Sequence, residues 1–114
     1  MEPAAVARGY YDALDTHEYE RLRSLLAPAF VQHRPDRRFE GRDRFIQFMR
    51  EERPDTETDH VVEQLFSKPD GAGAVEGRLL AADGTQIAVF VDVFSIEGGA
   101  IQELRTYTGT VDRE

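Results

Sequence analysis

The sequence of 114 residues contains no cysteine and only one lysine, Lys68, among its 14 basic residues. Without cysteine the chain has no disulfide bond, no zinc-thiolate site and no thiol nucleophile. The 22 acidic residues outnumber the basic ones and give a net charge of −8. We therefore expect no nucleic-acid partner, because proteins that bind DNA or RNA present a positively charged surface.

Long hydrophobic runs are also absent. The longest nearly apolar run, residues 87–91, is far shorter than the roughly 20 residues that a transmembrane helix needs. The beginning of the chain lacks the basic start and the apolar stretch of a signal peptide. The lack of cysteine is compatible with a reducing compartment. These features predict a cytoplasmic protein with no membrane partner.

Apolar residues make up 40% of the chain and aromatic residues 10%, which is enough for one modest core. No repeat, low-complexity tract or linker is visible, so the sequence predicts a single domain over residues 1–114. Apolar residues follow helical spacing in the first half and a period of two in the second half. This segregated order predicts an α+β fold rather than alternating α/β.

Three helices are predicted in the first half. The first covers about residues 3–14. Asp15 is interpreted as the N-cap of the second helix, in a capping box with Glu18. The second helix runs to about Ala27, since Pro28 cannot continue it. The third helix covers about residues 42–52.

Four long strands are predicted in the second half, after a short extended piece at 30–32 and a polar loop at 33–40. They cover about residues 61–67, 74–81, 86–96 and 101–110. Turn residues such as Asp83-Gly84 separate them. Tight turns between successive strands predict a curled antiparallel meander.

The strand predicted over 86–96 is apolar on both faces. One face carries Ile87, Val89, Val91 and Val93, and the other carries Ala88, Phe90, Asp92, Phe94 and Ile96. A sheet with one solvated side would alternate apolar and polar residues. One face must pack on the helices, and no further helix remains to cover the other. A second copy of the chain is the simplest cover, so we expect a homodimer through the sheet.

Three stretches carry a resemblance to a known superfamily: Gly-Tyr-Tyr-Asp-Ala-Leu at 9–14, Phe-Val-Gln-His-Arg-Pro at 30–35, and Phe-Val-Asp-Val-Phe at 90–94 with the turn and strand that follow. They resemble nuclear transport factor two-like proteins, which include ketosteroid isomerase and the SnoaL-like polyketide cyclases. The resemblance implies a cone-shaped curled antiparallel sheet packed against three N-terminal helices, the cystatin-like α+β roll. This fold hosts several enzyme classes and non-catalytic proteins, so function must be argued from the site.

Asp92 is the strongest candidate for a functional residue. It lies between Phe90 and Phe94 on one apolar face, where a carboxylate is costly unless it is paired or protonated. Desolvation raises a carboxyl pKa, which suits a general acid or a neutral hydrogen-bond donor. The alternative is a buried aspartate with no chemical role, satisfied by the backbone or by an arginine such as Arg78 or Arg105.

The resemblance implies roles for further residues. Asp92 matches the protonated aspartic acid of the ketosteroid isomerase oxyanion hole, and Tyr10 matches the tyrosine that also donates there, with Tyr11 as the alternative if the register shifts by one. Arg34 stands at the position of that enzyme's base and cannot serve as one. His33, near the expected pocket mouth, is the candidate for a replacement base. The alternatives are a core role for Tyr10 and a surface loop histidine at His33.

Substrate binding is predicted for Phe90, Phe94, Arg34 and Tyr107. The histidines lack metal-ligand spacing, and no phosphate-binding glycine loop or dinucleotide fingerprint appears, so neither a metal nor a cofactor is expected. Seven of the 13 arginines fall within residues 34–53. They form either a positive pocket mouth that attracts an anionic substrate or a solvated helix face with ordinary ion pairs.

The sequence thus predicts a small cofactor-independent enzyme that acts on an apolar organic molecule in the cone pocket. General acid/base chemistry of the isomerase, cyclase or hydrolase type fits these residues. One alternative is a non-catalytic small-molecule-binding or dimerisation module of the same fold. Another is a structural protein whose own side chains fill the cone.

Overall fold

A computed structural model describes residues 2–110, and the remaining positions of the predicted domain, Met1 and 111–114, lie outside the described residues. The helices are α1 (Pro3–Asp15), α2 (Tyr19–Leu25) and α3 (Arg42–Gln47), and α3 continues as a π-helical segment (Phe48–Glu52). The strands are β1 (Leu26–His33), β2 (Arg38–Glu40), β3 (Asp59–Ser67), β4 (Ala72–Leu80), β5 (Gln86–Glu97) and β6 (Ala100–Gly109). In this described part, every helix is too short or too polar to cross a membrane.

The six strands form one curled, unclosed sheet in the order β2-β1-β6-β5-β4-β3. Its register shifts between Val62 and Gln64 in the β3–β4 pair and between Ser95 and Ile96 in the β5–β6 pair. Such bulges bend a strand and increase its twist, which curls the sheet around the helices. The predicted α+β class, with three helices against a curled sheet, is confirmed.

The first two strands depart from the prediction. The short piece at 30–32 belongs to the longer β1, which pairs in parallel with β6, so the sheet is not wholly antiparallel. The predicted loop at 33–40 contains β2, which forms a hairpin with β1. Pro28 lies inside β1, where the register with β6 shifts. Proline has no N–H to donate to a ladder, and it is tolerated there because the regular pairing is interrupted at this point.

The predicted capping box between Asp15 and Glu18 is wrong. Asp15 is the last residue of α1, and its carboxylate accepts a hydrogen bond from the backbone N–H of His60 at 2.8 Å. Glu18 is the N-cap of α2 and makes no capping hydrogen bond with its side chain. The Asp15 carboxylate therefore makes a tertiary contact with β3 and does not cap the next helix.

The core lies between the helices and the inner face of the sheet. Phe30 and Phe45 meet edge to face with ring centroids 5.0 Å apart, and Tyr10 meets Phe94 in the same way at 5.8 Å. Burial of each large apolar side chain stabilises the fold by about 1.5–3 kcal/mol. On β5 the inner residues, including Phe90, Asp92 and Phe94, are buried, whereas Ile87 and Val91 are exposed.

A glycine on β4 makes room for one wall of the inner face. Gly77 is paired with Phe90 on β5, and a Cβ atom at Gly77 would lie 2.8 Å from Cζ of that ring and 2.3 Å from the carbonyl oxygen of Val61. Only glycine allows the ring to lie across β4 at this point. Gly77 thus fixes where Phe90 lies.

Candidate functional site

A cavity of about 260 Å³ opens between the helices and the inner face of the sheet. Its walls are mainly apolar and include Leu14, Phe48, Met49, Leu79, Ala88 and Phe90. The volume is slightly below the roughly 300 Å³ at the low end for ligand pockets. Two of these lining residues, Phe48 and Met49, belong to the π-helical segment. Turns of π-helix occur frequently at functional sites.

Asp92 lies in the cavity wall with only 4% of its surface exposed. Its Oδ2 accepts a hydrogen bond from the hydroxyl of Tyr11 at 2.5 Å, and its Oδ1 accepts one from Oγ1 of Thr106 at 2.5 Å. Thr106 is the direct partner of Asp92 across the β5–β6 ladder. Strand register and the C-terminal half of α1 together hold the carboxyl group in one orientation.

Burial raises the pKa of the Asp92 carboxyl above its ordinary value, because the charged form is taken out of water. The hydrogen bonds from Thr106 and Tyr11 oppose part of this rise in pKa. The predicted alternative of an arginine clamp is wrong: Arg78 pairs with Glu63 at 3.2 Å, and Arg105 pairs with Glu103 at 2.9 Å.

The two adjacent tyrosines of α1 have different positions. Tyr10 lines the cavity beside Asp92, with its ring packed against Phe45 and Phe94. Tyr11 makes the hydrogen bond to Asp92, but its ring lies toward a separate surface groove. Burial raises the pKa of both hydroxyls, and the negative charge of Asp92 raises it further. Both therefore remain protonated donors at neutral pH.

The other residues predicted for the site fall into two groups. Phe90 and Arg34 line the cavity. Phe94 is buried beneath the tyrosine rings and outside the lining, and Tyr107 is 55% exposed on the outer face of the sheet. His33 also lies outside the lining, and its side chain is partly exposed on β1.

His33 instead pairs with an acid of the neighbouring strand. Its Nε2 lies 2.9 Å from Oε2 of Glu103, where β1 runs beside β6. Strand β1 alternates, so His33 points away from the side on which Gln32 is buried.

A histidine that sequence reasoning did not select lines the cavity. His60 Nδ1 lies 2.6 Å from Oδ1 of Asp15, and its ring lies 5.3 Å from that of Tyr11 and 5.6 Å from that of Phe90. A carboxylate only accepts hydrogen bonds, so Nδ1 carries the proton of the neutral ring and Nε2 is left as an acceptor. The available signal was alternation: His60 shares the inner face of β3 with Val62.

Gln32 extends the polar chain behind Asp92. Its Nε2 donates to Oγ1 of Thr106 at 2.9 Å, and that hydroxyl in turn donates to Asp92. The Oε1 atom of Gln32 is buried in the cavity wall and has no hydrogen-bond partner within residues 2–110. A buried acceptor without a partner is costly, so this atom is a place where a ligand hydroxyl or N–H group would be stabilised.

The described residues contain no cluster of side chains suited to bind a metal ion. Within residues 2–110, no three histidine, aspartate or glutamate side chains cluster as a metal site requires.

Comparisons with known proteins agree with this fold. The model of the SnoaL-like domain family matches residues 7–104. No match to the chain was found among curated proteins.

Solved structures with the same fold share little sequence with the chain. A protein from Kribbella flavida, provisionally named a ketosteroid isomerase, has a TM-score of 0.85 at 23% identity, covering 98% of this chain and 81% of that one. A provisionally named SnoaL-like polyketide cyclase from Shewanella denitrificans has a TM-score of 0.78 at 18% identity, covering 94% and 90%. A nuclear transport factor two-like protein of unknown function from Cytophaga hutchinsonii has a TM-score of 0.81 at 17% identity, covering 96% and 91%.

Proposed function

We propose that this chain, which belongs to the SnoaL-like domain family, is a small cofactor-independent enzyme that moves protons on an apolar carbonyl compound. The reaction would be an isomerisation or a cyclisation. The observation that carries the proposal is that Tyr10 and Asp92 line one apolar cavity in which burial raises the pKa of both groups.

The proposed chemistry uses these two groups as donors to the carbonyl oxygen of the substrate. When a proton leaves the carbon next to a carbonyl, negative charge develops on the oxygen, and donors fixed in a dry site stabilise that charge. Tyr11 and Thr106 position the Asp92 carboxyl without needing its acid proton, since each already donates to it. That proton is left for the ligand.

His60 takes the role of base in this scheme. Its Nε2 is the acceptor of a ring whose Nδ1 is oriented by Asp15. A neutral imidazole with a free Nε2 can accept a proton from a substrate carbon and return it. His33, the base expected from sequence, is less suited because it lies outside the cavity and pairs with Glu103.

Exchange of ketone α-protons in D₂O, followed by NMR, tests the proposal without knowledge of the natural substrate. The panel would hold cyclic ketones such as 1-indanone and 2-tetralone, with and without a carboxylate. We expect Asp92→Asn to slow exchange by about 100-fold or more, because an amide donates more weakly than an acid and carries no transferable proton. Tyr10→Phe should slow it as well.

Tyr107→Phe is the matched control, because it removes one hydroxyl from an aromatic ring on the outer face. It should leave exchange unchanged. Full exchange in Asp92→Asn, or none with any ketone in the unaltered protein, would count against the enzyme.

A non-catalytic ligand-binding module is the second candidate. The modest volume of the cavity, about 260 Å³, favours it to the extent that little room remains for a substrate to rearrange. It predicts that compounds bind with similar affinity to the unaltered protein and to Asp92→Asn, and that neither protein exchanges protons.

We also propose that the chain forms a homodimer through the outer face of the sheet. This face exposes Phe66 (62%), Tyr107 (55%) and Val91 (37%), and the last two are direct partners across the β5–β6 ladder. Exposed apolar patches of this kind mark interaction sites. Light scattering at micromolar concentration should give a dimer, and Val91→Arg should shift it to a monomer. A cytoplasmic location and the absence of a nucleic-acid partner remain predictions from composition.

A further inference from the structure

Two arginines at the cavity lack the ion pairs that most arginines within residues 2–110 make. Arg34 and Arg53 both line the cavity and are half-buried. Within residues 2–110, neither has a carboxylate oxygen within 4.0 Å of its guanidinium nitrogens. Every other arginine in that range except the exposed Arg8 has one. The contrast is notable in a chain whose net charge is −8.

Both guanidinium groups are nevertheless held in place by neutral partners. The Arg34 guanidinium carbon lies 5.9 Å from the ring centroid of Phe39 and 5.7 Å from that of Phe48. Arg53 donates from Nε to the carbonyl oxygen of Met49 at 2.8 Å and from Nη2 to the hydroxyl of Tyr19 at 3.4 Å. These contacts fix the side chains but leave their charges uncompensated. A positioned, half-buried charge without a counter-ion favours binding of an anion.

One acidic residue near the opening does not cancel this charge. Asp55 lines the cavity, but it is exposed, and its Oδ1 accepts a hydrogen bond from the backbone N–H of Glu57 at 2.9 Å. The other lining carboxyl belongs to Asp92. Burial raises the pKa of this group and so disfavours its charged form. The cavity therefore pairs an apolar body and polar inner groups with excess positive charge.

We infer that the ligand of this cavity is an apolar organic acid whose carboxylate is bound by Arg34 and Arg53. An arginine binds a carboxylate through two parallel hydrogen bonds, which fixes orientation as well as charge. The anion at the arginines directs the rest of the molecule along the apolar walls toward Tyr10 and Asp92. A hydroxyl or N–H group of the ligand at Oε1 of Gln32 completes the set of polar contacts. The inference rests on the proposed function only in taking the cavity as the ligand site.

A pair of probes that differ only in charge tests the inference. 2-Naphthoate and 2-naphthamide have nearly the same shape, and calorimetric titration measures the affinity of each without any turnover. We expect the unaltered protein to bind naphthoate at least about tenfold more tightly than naphthamide, as expected for charge-assisted hydrogen bonds over neutral ones. The preference should shrink as salt is added, since the guanidinium groups are partly exposed.

The double variant Arg34→Gln/Arg53→Gln should reduce that preference to about twofold or less, with the affinity for naphthamide unchanged. Arg50→Gln is the matched control: it removes a positive charge from the same helical segment, but Arg50 is exposed, pairs with Glu51 and lies outside the lining. It should keep the preference. Thermal melting checks that each variant folds.

Three results would overturn the inference, and they differ in what they mean for the enzyme. Equal affinity of the unaltered protein for the two probes excludes the anion site and leaves the proton-transfer proposal standing. No binding of either probe up to about 1 mM, equivalent to less than about 4.1 kcal/mol of binding free energy, argues against a ligand cavity and so against both proposals. A preference that survives in the double variant and is lost in Arg50→Gln assigns the charge effect to the surface instead.

Discussion

The two faces of β5 are almost equally apolar, yet their surroundings differ. On the inner face Phe90, Asp92 and Phe94 are buried beneath the helices, whereas Val91 on the outer face is exposed. Alternation along the strand separates the two sets. A carboxyl group therefore behaves differently on each side: Asp92 is shielded from water in a cavity wall, and Glu76, which pairs with Val91 across β4 and β5, is solvated.

The difference teaches that burial, and not residue type, gives the inner face its chemistry. Both faces contain polar groups among apolar neighbours, and on the inner face burial raises the pKa of Asp92 beside the cavity. If this comparison is correct, matched changes on the two faces should have unequal effects.

The largest difference should appear in core packing. Phe94→Ala removes a ring that is 1% exposed and packed against both tyrosines of α1, and we expect it to lower the free energy of unfolding by about 3–5 kcal/mol. Val91→Ala on the outer face should change it by about 0.5 kcal/mol or less in the monomer. Urea unfolding at low protein concentration measures both. Similar losses for the two variants would mean that the outer face is covered as well.

Glycine substitutions should give the next largest contrast. A Cβ at Gly77 would collide with Phe90 and with the backbone of Val61, so Gly77→Ala should cost about 1–3 kcal/mol of stability through overpacking. Gly109 lies on the outer face opposite Val89, and no heavy atom of residues 2–110 lies within 4 Å of its Cβ position. Gly109→Ala should be nearly neutral. Thermal unfolding of the two variants tests this. If Gly77→Ala were as stable as the unaltered protein, Phe90 would not be packed tightly against β4.

The pH dependence of stability should also distinguish the two faces. The pKa of Asp92 is raised in the folded state, so the folded protein binds this proton more tightly than the unfolded chain does. Its contribution to stability is fully present below the ordinary aspartate pKa of about 3.9 and is lost as pH rises through the raised pKa. Asp92→Asn should remove that part of the pH dependence.

Glu76→Gln is the control for this titration, since it neutralises an exposed carboxylate on the adjacent strand. It tests whether removal of an exposed carboxylate from the sheet changes the slope of stability against pH as removal of the buried one does. Urea unfolding at a series of pH values from about 4 to 8 measures all three proteins. Identical slopes in the unaltered protein and in Asp92→Asn would show that Asp92 is ionised without cost.

The smallest difference should appear in the tautomers of two histidine rings, that is, in which ring nitrogen carries the proton. His60 holds its Nδ1 against Asp15, whereas His33 holds its Nε2 against Glu103. Nitrogen-15 NMR at a pH where both rings are neutral should therefore report opposite tautomers, Nδ1–H for His60 and Nε2–H for His33. Asp15→Asn should mix the tautomers of His60 and leave those of His33 unaltered. The same tautomer in both rings would contradict the proposed orientation of the base.

Much of the fold could be predicted because it follows local patterns. Helical spacing located α1, and alternation with turn residues located β3 to β6 within a few residues. The ends were less accurate where tertiary pairing overrides local preference: β1 begins at Leu26 and includes Pro28 because β6 lies beside it. Strand β2 was missed because its three residues have no periodic signal of their own.

The candidate site divides in the same way. Asp92 could be selected from the sequence, because a carboxyl between Phe90 and Phe94 on one strand face is a local pattern. The choice between Tyr10 and Tyr11 could not, since the two are adjacent and only the packing decides which hydroxyl reaches Asp92. His60 was missed because its partner, Asp15, lies 45 residues away in the chain.

The sequence by itself determined the α+β class, the apolar strand with Asp92 at its centre, and the negative charge of the chain. Each of these depends on composition or on residues a few positions apart. The tertiary structure alone decided which groups meet: Tyr11 with Asp92 across 81 residues, His60 with Asp15, and Arg34 with Arg53 at one cavity. Such contacts depend on how the sheet curls around the helices, and that curvature cannot be predicted from local residue spacing.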